Sequence, residues 1–145
     1  MRVVVQRVKT ASVNINGRLI SQINKGFLVF LGISKDDNEQ KINYLANKVV
    51  NLRIMADSDD KMNLGLKDVK GEILIVSQFT LYGDCQKGNR PSFIKAAKPQ
   101  KAEKLYQLFI QKCKEPNLKV KNGVFGAKMS IELINDGPVT LIIDN

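Results

Sequence analysis

The sequence predicts an α/β protein of one domain: a curved, mixed, barrel-like β-sheet flanked by at least two helices. Three observations carry that expectation. Short runs of β-branched and aliphatic residues recur towards both ends of the chain, separated by turn residues. Two segments between them space their apolar residues at three- and four-residue steps, the period of a helix with one buried face. The 145 residues, 43% of them apolar, suffice for one core. No repeat, low-complexity tract or linker divides them, so the domain is expected to span 1–145.

Taken in order, Arg2 to Val8 is β-branched and reads as a strand. Ser12 to Ile15 and Arg18 to Ile23 flank Asn16-Gly17, the dipeptide that best tolerates the positive φ angles of a tight hairpin. Phe27 to Ile33 is continuously apolar, as suits a strand buried on both faces. Beyond it Asp36 and Asp37 offer caps to a helix whose buried stripe is Ile42, Leu45, Val49 and Leu52. Arg53 to Ala56 reads as a short strand before the acidic loop Asp57 to Lys61. That loop lacks the alternating ligands and distal Glu of an EF-hand, which argues against a calcium site. Glu72 to Phe79, with ILIV at its centre, is the strongest strand signal. A second helix is expected from about Pro99 to Glu115, with Ala102, Leu105, Leu108, Phe109 and Cys113 inward and Pro116 ending it. Leu118 to Lys121, Met129 to Ile134 and Val139 to Ile143 complete a strand-rich C-terminal third.

Composition closes several routes to function. The chain has no histidine, which excludes Ser-His-Asp and Cys-His nucleophiles, HExxH zinc sites and an imidazole proton shuttle. Cys85 and Cys113 form no CxxC pair, so neither a metal site nor a disulfide framework is expected. The start, MRVVVQRVK, is not a signal sequence, and no apolar run is long enough to cross a bilayer. A cytoplasmic protein without metal or cofactor is the expectation. The net charge of +9 is uneven: residues 87–128 hold eleven basic and two acidic side chains, equal to the whole excess. Such a stretch suits a phosphate backbone or, equally, a lysine-rich solvated helix face.

Two segments place special residues beside strongly apolar strands. Ser77-Gln78-Phe79-Thr80-Leu81-Tyr82-Gly83 puts hydroxyls and an amide where a buried strand emerges, either as binding groups or as side chains that satisfy local backbone. Asn135-Asp136-Gly137-Pro138-Val139-Thr140, between two strands, is either a functional segment or a plain turn.

Together these segments, with VQRVKTASV, KMNLGL and GNRPSF around them, resemble the D-aminoacyl-tRNA deacylases, the D-tyrosyl-tRNA deacylase family. The match covers essentially the full chain. The resemblance implies hydrolysis of the ester joining a D-amino acid, or glycine, to the terminal adenosine of tRNA. It implies a cis Gly137-Pro138 bond, carried across a homodimer interface beside the partner's SQFT segment, where main-chain carbonyls exclude L side chains. Ser77, Gly137 and Pro138 would then contact substrate. Arg7 would brace the Gly-Pro segment, or else be a surface charge, and Met129 would border the pocket or pack in the core. Gln78 and Thr80 would position the ester, and the N–H of Phe79 or Thr80 would stabilise the oxyanion. The ribose 2′-hydroxyl would assist, since Thr80 lacks a base. Lys87, Arg90, Lys95 and Lys98 would hold the tRNA backbone. The competing readings are a Thr80-nucleophile hydrolase and a non-catalytic basic RNA-binding module.

Overall fold

The computed structural model describes residues 1–114 and 118–145. Its sheet is organised by β1 (Arg2–Ile15), whose two expected strands are one continuous strand of 14 residues. Along one edge β1 pairs antiparallel with β8 (Ser130–Asp144), from Arg2↔Asp144 to Asn14↔Ser130. Its other edge is shared in turn by β3 (Gly26–Gly32), opposite Arg2 to Val8, and β2 (Arg18–Ile23), opposite Ala11 to Ile15. The Asn16-Gly17 turn has φ of 51° and 76°, as the dipeptide predicts.

The first half of β1 lies under the helices and the second half faces the barrel interior. Val3 and Val5 pack in the helix-covered layer, whereas Val8, Ala11 and Val13 join Ile23, Leu28, Leu74 and Val76 inside. Register shifts against β8 on either side of Val8 allow that change of face, because an extra residue re-aims the side chains that follow.

β3 is buried on both faces, as its unbroken apolar run predicts, and pairs in parallel with β6 (Glu72–Ser77). β6 pairs in parallel with β7 (Lys119–Asn122), giving the order β2-β1-β3-β6-β7. The sheet curls until its ends meet, where the Ser21 hydroxyl of β2 donates to the Asn122 carbonyl of β7 at 3.0 Å. The mixed sheet is therefore nearly closed into a barrel.

Parallel neighbours need crossovers, and the two helices supply them. α1 (Glu39–Val50) buries Ile42, Leu45, Ala46, Val49 and Val50. Its cap is Asn38, which accepts the Lys41 N–H at 3.1 Å, and neither Asp36 nor Asp37 takes that place. Asp37 turns inward instead and accepts from the Met1 ammonium and the Ser34 N–H, each at 2.7 Å. α2 (Pro99–Cys113) begins with Pro at its first turn and ends two residues before the expected limit. Glu115 and Pro116, expected to end it, lie outside the described residues. Cys113 is fully buried, as its place on the apolar stripe predicts.

Between the helices the expected strand at Arg53 to Ala56 narrows to β4 (Met55–Ala56), which pairs with a strand absent from the sequence reading, β5 (Met62–Leu64). Asp57 closes their loop by accepting the N–H groups of Asp59 and Lys61, each at 2.9 Å, so this acidic side chain serves local backbone.

Tyr106 ties α2 to the sheet. Its ring is fully buried, and its hydroxyl donates to the Ile75 carbonyl at 2.9 Å, with burial pushing its pKa up. That carbonyl also accepts the Gly123 N–H at 3.0 Å, so removing the hydroxyl does not orphan it. Tyr106→Phe should cost only about 1 kcal/mol of unfolding free energy, measured by urea denaturation.

Candidate functional site

β6 stops at Ser77, where the chain leaves the sheet. The Gln78 N–H donates back to the Leu31 carbonyl at 2.8 Å, and Phe79–Tyr82 then wind into a 3₁₀ turn. This turn rests directly on the end of β3 because residue 32 is glycine. A Cβ there would come within 3.0 Å of Leu81 Cβ and 3.1 Å of the Gln78 carbonyl. Within the turn, the first internal bond runs from the Leu81 N–H to the Gln78 carbonyl at 3.3 Å. The N–H groups of Phe79 and Thr80 precede it, in the position where helical turns have donors to offer a ligand. Thr80 is exposed, and its hydroxyl accepts a hydrogen bond from the Gln78 amide, which is no base.

Arg2 holds the far end of the turn. One guanidinium nitrogen donates to the Leu81 carbonyl at 3.1 Å, and the group lies over the Tyr82 ring, 5.8 Å from its centroid. Asp144 fixes the guanidinium from β8 at 2.7 Å and raises its pKa, while the same hydrogen bond lowers that of Asp144.

Beside the turn opens a cleft of about 450 Å³. Leu31, Ile33, Ala97, Phe125 and Ile131 give it apolar walls, and Ser77, Gln78 and Phe79 form its polar lip. Met129 lines this cleft and packs against the barrel core. Phe125 is held by Tyr106, with ring centroids 5.8 Å apart.

The other motif lies elsewhere. Asn135 to Thr140 is no free turn but an irregular stretch inside β8, with a cis Gly137-Pro138 bond and Gly137 at φ 118°. Arg7 is buried beneath it and is not a surface charge. Its guanidinium donates to the Asp136 carbonyl at 3.1 Å and the Ile54 carbonyl at 2.8 Å, and lies 3.4 Å from the Asp136 carboxylate. A Cβ on Gly137 would sit 2.5 Å from that guanidinium, so brace and glycine fit each other. Asn135, which opens the motif but had no role of its own in the sequence reading, donates to the carbonyls of Arg7 at 2.8 Å and Val139 at 3.1 Å. Arg7 pairs with Phe27 and the cleft residue Leu31 pairs with Val3. Four residues of β3, about 13 Å, therefore separate the levels of the two motifs within one chain.

The basic candidates fall on the loop after the turn. Lys87 and Arg90 are exposed, and Lys98 stands just before α2. Lys95 is paired with Asp84 at 3.1 Å. Two backbone hydrogen bonds between Asp84 and Ser92, at 2.8 and 2.9 Å, close this loop. Beyond it, Lys104 pairs with Glu39 at 3.2 Å and Lys119 with Glu72 at 2.6 Å, so part of the basic stretch serves internal contacts.

A nearly closed mixed barrel with two crossover helices and an apolar cleft at the ends of its parallel strands defines a class of small α/β proteins. Comparison with known proteins makes that class specific. The family model described as D-Tyr-tRNA(Tyr) deacylase matches residues 4–144. The D-aminoacyl-tRNA deacylase of Thermosipho africanus is 57% identical over 145 residues, covering 100% of this chain and 97% of its own. That of Clostridium novyi is likewise 57% identical, with the same coverage. A solved structure of a c-Myc DNA unwinding element binding protein superposes with a TM-score of 0.93 at 40% identity, covering 100% of this chain and 99% of its own. The chain belongs to the D-Tyr-tRNA(Tyr) deacylase family, whose members are hydrolases of an ester bond.

The loop contacts carry a pH signature. The Gln86 N–H first, and Lys95 second, hold the Asp84 carboxylate below its ordinary value of 3.8. A depressed carboxylate contributes order that is complete above the unfolded pKa and is lost as pH falls through the folded one. The Gln86 amide shift, followed by NMR, should therefore titrate with a midpoint below 3.8, and the loop should be fully held at neutral pH.

Proposed function

We propose that this protein hydrolyses the ester of D-aminoacyl-tRNA, and of glycyl-tRNA, at a site that two copies of the chain complete together. The observation that carries the reading is the separation of the two motifs. The SQFT turn stands at the mouth of an apolar cleft, while Gly137-Pro138 lies about 13 Å away in the level of the sheet. A second copy offers a way to bring one motif to the other. β8 supports this, because it pairs with β1 and no strand of the described residues covers its other edge. Ile134 and Ile142 on it are 56% and 67% exposed, the liability that an edge-to-edge homodimer removes.

In this reading the cleft takes the terminal adenosine, whose flat ring suits walls such as Phe125, and Ser77 and Met129 border it. Gln78 and Thr80 orient the ester, and the N–H of Phe79 or Thr80 meets the developing oxyanion. Rigid carbonyls at Gly137 and Pro138, braced by Arg7, accept the substrate ammonium and leave no room for an L side chain. Glycine has no side chain to exclude and passes. Lys87, Arg90, Lys95 and Lys98 attract the RNA backbone. The neighbouring ribose 2′-hydroxyl supplies the assistance that a histidine-free chain lacks. A Thr80 nucleophile is disfavoured because the partner of its hydroxyl is an amide donor.

Matched D- and L-tyrosyl-tRNA test the chiral filter. The D ester should be hydrolysed faster by a factor on the order of 100 or more, and equal rates would sink the reading. Thr80→Ala tests the mechanism: loss of a positioning group should lower kcat by about tenfold or less, whereas loss of a nucleophile removes on the order of 10⁴ or more. A non-catalytic RNA binder would protect both esters.

A further inference from the structure

Apolar side chains continue outward from the cleft where a solvated loop would ordinarily carry polar ones. Phe79 at the lip is 58% exposed, Phe93 is 37% exposed, and Ile94 beside it is 81% exposed. The rings of Phe79 and Phe93 meet edge-on, 68° apart in plane with centroids at 5.0 Å. The backbone that presents Phe93 is braced on both sides. Before it, Ser92 is bonded to Asp84; after it, the Ala96 N–H returns to the Phe93 carbonyl at 3.0 Å and the Lys95 carbonyl accepts the Lys35 N–H at 3.1 Å. The exposed cations Lys87 and Arg90 lie on the same loop, and Lys95, next to Ile94, is paired with Asp84.

A fixed, exposed aromatic ring among cations fits unpaired nucleic acid, which offers a flat base and an anionic phosphate per nucleotide. An uncharged peptide would use the apolar side chains but not the cations, and an acidic one does not supply a flat ring with each charge. We propose that Phe93, with Ile94 at its side, forms a stacking platform for the unpaired nucleotide immediately 5′ to the terminal adenosine of the substrate. This rests on the reading that the terminal adenosine occupies the cleft, because the preceding nucleotide then emerges past Phe79 onto Phe93. Base stacking of this kind is sequence-tolerant, so the platform accepts any base and adds affinity for the single-stranded end.

The test compares the 5′-methyl phosphodiester of adenosine 5′-monophosphate with the dinucleotide cytidylyl-(3′→5′)-adenosine. Each carries one singly charged phosphodiester 5′ to adenosine, so their difference isolates the added nucleoside. Binding is read from amide shifts of the ¹⁵N-labelled full-length protein. The dinucleotide should bind the native protein on the order of tenfold more tightly. Phe93→Ala should shrink that gap to about threefold or less, and Phe93→Tyr, which keeps the ring, should preserve it. Since Phe93 also touches Phe79, any disturbance of the cleft weakens both ligands and cancels in the ratio. A gap that survives Phe93→Ala, or no gap in the native protein, overturns the platform. Failure of the native protein to hydrolyse D-tyrosyl-tRNA is a separate result and strikes the parent reading instead.

Discussion

The double pairing of β1 is the constraint on which the rest of the molecule depends. Because β8 follows it along nearly its whole length while β3 and β2 divide the other edge, these three strands are registered directly against β1, and β6 and β7 follow through β3. Both arginines that shape the candidate site sit on it. Arg2 reaches the Thr80 turn and Arg7 reaches the Gly137 segment, and an odd separation of five residues sends them to opposite faces. A slip of one residue would exchange those faces, burying Arg2 and expelling Arg7. The register that closes the barrel therefore also holds both motifs.

What could be read from the sequence follows the range of the interactions. The α1 and α2 stripes, the Asn16-Gly17 hairpin and the doubly buried β3 were legible because each is decided by residues within a few positions. Asp37 was misread because a local capping rule was applied to a side chain whose partner, the Met1 ammonium, lies 36 residues away. β1 appeared as two strands because its buried face changes beside Val8, and a phase change in periodicity looks like a break. The same limit applies at the site. Gly137 and Arg7 were recognisable from their motifs, but the bond from Arg7 to the Ile54 carbonyl and the role of Asn135 depend on pairings no local pattern encodes.

Charge arithmetic overstated the surface available to a polyanion. Lys104, Lys119 and Lys95 each meet a carboxylate, and Lys101 donates to the Lys35 carbonyl at 2.6 Å. Exposed pairs of this kind add little stability, yet they reduce the local excess of positive charge. Lys87 and Arg90 lie on the loop that Asp84 and Ser92 fasten beside the turn. The proposed phosphate contacts rest on their placement more than on the total of +9.

The absence of histidine bears most directly on chemistry. An enzyme that relies on an imidazole must hold a base, an acid and an orienting partner in line, and each has a protonation state to maintain. Here the groups at the lip are an amide, a hydroxyl and main-chain N–H donors, none of which titrates near neutral pH. Such groups can orient an ester and stabilise negative charge without reorganising, because Gly32 and Arg2 already hold the turn. They cannot take a proton from water. In the proposed function a substrate that brings its own hydroxyl next to the ester would remove the need for a protein nucleophile, and the chain would be left with positioning and exclusion. Those are tasks for rigid backbone, which is what both motifs provide.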